Sequence, residues 1–77
     1  MAWHITLKLF ATLRSYAPQN AERFPITPGT TVADVVQSLE IPAKDAKLIF
    51  VNNIRKEHET PLKDGDRLGI FPPVGGG

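Results

Sequence analysis

Thr31-Val32-Ala33-Asp34-Val35-Val36-Gln37-Ser38-Leu39 is the best helical stretch in the chain, and the other elements have to arrange themselves around it. Thr31 reads as the N-cap, with Asp34 three residues later in a variant of the capping box. Val32, Val35, Val36 and Leu39 fall at i, i+3, i+4 and i+7, which makes one apolar stripe. Asp34, Gln37, Ser38 and Glu40 face away from it, and Pro42 is expected to close the helix. A lone amphipathic helix must bury its stripe, and the sequence around it offers strands rather than a second long helix. The helix should therefore lie on one face of one sheet.

The strands are read outward from that helix. Residues 3–10 alternate, with Trp3, Ile5, Leu7 and Leu9 on one face and His4, Thr6 and Lys8 on the other, as in a half-buried strand. Phe10 to Ala17 places Phe10, Leu13 and Ala17 at helical spacing, and Pro18 argues for a stop near Ala17, so this stretch reads as a short helix or helical turn. Gln19 to Glu22 reads as a polar loop. Arg23-Phe24-Pro25-Ile26 is a short strand that Pro25 confines to a sheet edge. Thr27-Pro28-Gly29 is a turn. After the helix, a polar stretch from Ala43 to Lys47 leads to the strand Leu48-Ile49-Phe50-Val51. Asn52-Asn53 tolerates positive φ and turns the chain into Ile54-Arg55-Lys56. Leu62 should tuck inward, Asp64-Gly65 is a turn, and Arg67 to Phe71 is the last strand. The order predicts an α+β fold: a mixed sheet of four to five strands on one main helix, with the first and last strands adjacent at its centre. That is the ubiquitin-like β-grasp.

At 77 residues the chain holds one domain. Such a domain buries about 60% of its unfolded surface and leaves little room for a deep pocket. The formal net charge is +1, with Lys and Arg scattered and no basic stripe visible, which disfavours nucleic acid as the main partner. With no cysteine, disulfides and thiolate metal sites are excluded. Met1-Ala2-Trp3-His4 leads straight into the alternating strand, unlike a signal peptide, and no apolar run approaches membrane-spanning length. A soluble, cytoplasmic protein without a membrane partner is expected. No nucleophile–base pair and no phosphate loop is present, so catalysis by this chain alone is not expected.

Residues 1–71 form the expected domain and residues 72–77, Pro72-Pro73-Val74-Gly75-Gly76-Gly77, an extended tail. The prolines cannot donate backbone hydrogen bonds and end the strand. Fully extended, such a segment reaches roughly 20 Å. A terminal carboxylate is an anion at neutral pH and a poor electrophile. It reacts only after gaining a leaving group, for example by adenylation with ATP. Glycine has no Cβ to hinder attack at that carbonyl. Glycine-rich ends are also often mere linkers, but a linker has no need of a proline-stiffened apolar stem.

Phe10-Ala11-Thr12-Leu13-Arg14, Val51-Asn52-Asn53, Pro61-Leu62-Lys63-Asp64-Gly65-Asp66 and Phe71-Pro72-Pro73-Val74-Gly75-Gly76-Gly77 together resemble the small sulfur-carrier family. That family includes the small subunit of molybdopterin synthase and the thiazole-synthesis carrier; the Pro-Pro-Val stem favours the molybdopterin branch. The resemblance implies that an ATP-dependent adenylating enzyme activates Gly77 and that a sulfur donor protein converts it to a thiocarboxylate. The tail Pro72, Pro73, Val74, Gly75, Gly76 would then enter the active site of the large synthase subunit, which takes the sulfur for a pterin precursor. It further implies that Phe10, Arg14 and Phe71 lie on the partner-docking face. No permanently bound cofactor and no metal are implied. Gly75 stands where the family often has Ala or Thr, and Asn53 where a Gly is common.

Other residues are open to plainer readings. Phe10 and Phe71 read equally well as core residues. Glu57-His58-Glu59 reads as a solvated loop, since neighbours on an extended chain point to opposite faces and cannot converge on one ion. Asp64-Gly65-Asp66 lacks the further ligands of a calcium loop. Beside the carrier function stand a ubiquitin-like modifier using the same activated glycine, a carrier for thiazole or tRNA thiolation, and a passive interaction domain.

Overall fold

The capping box expected at Thr31 forms in full. Asp34 N donates to Thr31 Oγ1 at 3.2 Å, and Thr31 N donates to Asp34 Oδ2 at 3.0 Å. It starts helix α1, Val32–Ser38, whose Val32, Val35 and Val36 are buried. The computed structural model describes residues 3–73. Around α1 lie strands β1 (Trp3–Leu9), β2 (Phe24–Ile26), β3 (Leu48–Val51), β4 (Ile54–Lys56) and β5 (Arg67–Phe71). Their order across the sheet is β2-β1-β5-β3-β4. β1 and β5 are parallel, and the other neighbours are antiparallel. The first and last strands thus meet at the centre, as the β-grasp requires, and β2 with Pro25 is an edge.

The core is the layer between α1 and one face of this sheet. Ile5, Leu7, Ile49, Val51, Leu68 and Ile70 project into it from the strands, and Leu13, Ile41, Ala46 and Leu62 close its margins. Leu62 tucks inward as expected. Trp3, Leu9 and Leu39 pack against the core without being fully covered.

Several local expectations change. The segment after β1 is a 3-10 helix, Ala11–Tyr16. Its period is three residues per turn, so Leu13 and Tyr16 face inward while Ala17 is exposed. The α-helical spacing of Phe10, Leu13 and Ala17 therefore does not describe it. The expected loops at Gln19–Glu22 and Ala43–Lys47 contain 3-10 turns, Ala21–Arg23 and Ala43–Asp45. Nor does Pro42 close α1. Glu40 adopts φ 62°, Glu40 N donates to Gln37 O at 3.0 Å, and Ile41 N donates to Val36 O at 3.2 Å. This is a Schellman motif with glutamate where glycine is usual, completed by Val36 and Ile41 in one core. His58 is not simply solvated: it is half-buried, and its Nε2 lies 2.8 Å from Ala46 O, tying two loops together.

Candidate functional site

The sheet has a second face that α1 does not cover. Side chains alternate along a strand, so the neighbours of the core residues point to this outer face. The register sets them in rows. Phe10 lies beside Phe71, and Phe71 is opposite Leu48. In the next row come Lys8, Gly69, Phe50 and Arg55, one from each of four strands. Thr6 and Arg67 follow. Successive rows are about 7 Å apart, two residues along a strand.

The aromatic row is tightly organised. The Phe10 and Phe71 rings stack with centroids 4.1 Å apart and planes within 3°. Phe50 meets Phe71 edge-on at 5.6 Å and 77°. Such pairs contribute about 0.5–1.5 kcal/mol beyond the area they bury, which favours this arrangement of the three rings. Phe10 is 37% exposed. Neither Phe10 nor Phe71 belongs to the core between sheet and helix, which removes the plainer reading of both. Ala11, at φ 53°, turns the chain sharply right after Phe10. Arg14 is exposed in the 3-10 helix beyond.

Lys8, Arg55 and Arg67 are exposed, and no outward-facing strand position on this side carries an acid. Asp66, at the foot of β5, is occupied by its own turn: it accepts from Lys63 N at 2.8 Å and from Asn52 Nδ2 at 3.0 Å. The absence of a basic stripe in the sequence therefore did not foretell this face, because three strands bring the cations together. Among the described residues no three His, Asp or Glu side chains gather as a metal site. No helix among them is long and apolar enough to cross a membrane.

β5 delivers the chain from the sheet centre. Pro72 is buried and Pro73 exposed, so Pro72 is held by the domain itself. Val74, Gly75, Gly76 and Gly77 lie outside the described residues. Of the residues singled out in the sequence, the fold joins Phe10 to Phe71 and leaves Arg14 nearby in sequence. It adds Lys8, Leu48, Phe50, Arg55, Arg67 and Gly69, which were not singled out. One signal was available: Leu48-Ile49-Phe50-Val51 is apolar at every position, so a sheet covered on one side must expose two of them.

A family model described as the ThiS family matches residues 7–77. The small archaeal modifier protein 3 of Haloferax volcanii is 32% identical over an alignment of 90 positions, gaps included, covering 95% of this chain and 98% of that protein. The molybdopterin synthase sulfur carrier subunit of Chlamydomonas reinhardtii is 31% identical over an alignment of 81 positions, with the same coverage of 95% and 98%. A Haloferax volcanii protein solved in solution superposes with a TM-score of 0.76 at 29% identity, covering 99% of this chain and 88% of its own. The match reaches from within β1 to the final glycine and agrees with the sheet order and the central β5, and by it this chain belongs to the ThiS family of small sulfur carriers.

Proposed function

We propose that this carrier is the small subunit of a molybdopterin synthase and that Gly77 is its sulfur-bearing residue. The observation that carries the reading is the family match running through Gly77, joined to a Chlamydomonas relative named for that role. In this reading the Gly77 carboxylate attacks the α-phosphorus of ATP on an adenylating enzyme, and pyrophosphate leaves. A sulfide equivalent from a donor protein then displaces AMP and gives the thiocarboxylate. The large synthase subunit accepts the tail, and the sulfur passes to the pterin precursor. ATP is the activating enzyme's substrate, not a cofactor of this chain. The aromatic face at the end of β5 holds the partner while the glycines reach its active site. Glycine at the terminus leaves the carbonyl open to attack.

The relative named a small archaeal modifier supports a second use of the same glycine, isopeptide linkage to lysines. Both uses begin with adenylation and part at the nucleophile.

The test is intact-protein mass spectrometry after incubation with the organism's adenylating enzyme, ATP and a sulfur donor. The chain should gain the mass difference of one sulfur for one oxygen, localised to Gly77, and a Gly77 deletion should gain nothing. Placement errors of about 1 Å can cost a reaction heavily, so one residue added after Gly77 should also abolish transfer while leaving the fold intact. An unchanged mass with an enzyme that adenylates another carrier would reject the reading. Lysine-linked adducts in cell extract without a thiocarboxylate would favour the modifier.

A further inference from the structure

Gly69 sits mid-strand in β5, where glycine is less favourable than alanine. Its backbone does not ask for it. Its φ lies outside the left-handed region, and an added Cβ would meet Phe10 Cε2 at 3.5 Å, Phe50 O at 3.9 Å and Phe50 Cβ at 4.0 Å, all ordinary contact distances. The missing side chain leaves a hollow on the outer face, walled by Phe10, Phe50 and Phe71 and flanked by Lys8 and Arg67. A strand glycine that the backbone does not ask for leaves room for a close approach from outside.

We infer that this hollow is a recognition seat for a protein partner that inserts one apolar side chain over Gly69 and surrounds it with carboxylates. The inference rests on the carrier reading above and adds to it which residues choose the partner. Two observations commit the occupant. Lys8, Arg55 and Arg67 stand on this face with no acid among its outward strand positions, in a chain whose whole formal charge is only +1. Three cations on strand positions that carry no acid take an acidic rim as their complement. The hollow also lies on β5, the strand that continues into the tail, two residues before the strand ends at Phe71. The rows set a register: the partner's apolar surface meets Phe10 and Phe71 near the tail, and its carboxylates lie one to two rows, about 7–14 Å, further back.

The experiment measures the affinity of full-length protein for the organism's adenylating enzyme and large synthase subunit, with Gly77 modification scored separately by mass. Gly69→Ala should raise the melting temperature of the free protein yet weaken binding several-fold, and Gly69→Val should weaken it more. The double variant Lys8→Glu/Arg67→Glu should lose about tenfold or more at low salt, with the loss shrinking as salt screens the contact. Lys56→Glu, exposed on the opposite side of β4 from Arg55, should change neither. If Gly77 is modified and both partners bind, but affinity is indifferent to Gly69→Val, the seat is refuted while the carrier reading stands. If charge reversal has no effect, the acidic rim is refuted. Tight binding of a mixed-sequence single-stranded RNA oligonucleotide to the same face, lost in Lys8→Glu/Arg67→Glu, would replace the protein occupant with a nucleic acid. A chain neither bound nor modified by competent partners overturns both.

Discussion

Glu40 occupies a backbone position that favours glycine. At φ 62° an L side chain crowds its own carbonyl, at a cost of roughly 1–2 kcal/mol. It also places a negative charge at the negative end of α1. Glu40→Gly relieves both and gives back part of the gain through the looser unfolded chain. The expected net is about 0.5–1 kcal/mol of added stability, or a rise in melting temperature of roughly 2–8 °C for a domain of this size. Calorimetry showing an unchanged or lowered midpoint would mean that the Schellman geometry is not strained. Asn52 and Asn53, at φ 54° and 70°, hold similar angles with side chains that tolerate them, and Asn52 also accepts from Arg67 N at 3.0 Å. The contrast explains why the Asn pair was legible as a turn and Glu40 was not: only Asn announces positive φ by its chemistry.

Helix α1 has seven residues, too few to persist alone in water. Its cap and its apolar stripe hold it. Thr31→Ala removes the side-chain acceptor of the capping box and should lower stability by about 1 kcal/mol in urea unfolding. The backbone bridge from Thr31 to Pro61 should survive the change. Equal stability of Thr31→Ala and wild type would show that water replaces the cap at no cost. The sheet's edges are managed by equally local means. At β2, Pro25 has no N–H to offer, and Thr27 N donates to Thr30 Oγ1 at 3.2 Å. At β4 the edge is only three residues long and carries Arg55 and Lys56. Both edges discourage strand addition.

The whole molecule depends on one thin core. Val36 is 4% exposed between helix and sheet, so Val36→Asp would bury a charge without a partner. A domain this small has a few kcal/mol in total, and the variant should be unfolded. A dispersed, native-like two-dimensional NMR spectrum of Val36→Asp would refute the packing. The sequence by itself determined which residues form this core: the i, i+3, i+4, i+7 stripe of Val32, Val35, Val36 and Leu39, the alternation of Ile5 and Leu7, and the edge position of Pro25. Those are properties of a few adjacent residues, and local geometry makes them one-dimensional signals. It also displayed the glycine terminus, which needs no fold to be read. The helical turn after β1 and its stop at Ala17 were legible, but the inward set of the 3-10 helix Ala11–Tyr16 was not, because short helices of different period share their few apolar positions. Only the tertiary structure assembled the outer face. Lys8, Phe50, Arg55, Arg67 and Gly69 come from four strands, and Lys8 and Gly69 are neighbours through the parallel pairing of the first strand with the last. No spacing in the sequence records that register, because it is set by how the two strands slide to bury Leu7 with Leu68 and Leu9 with Ile70 over the helix. The outer face is therefore the by-product of the face that meets the core.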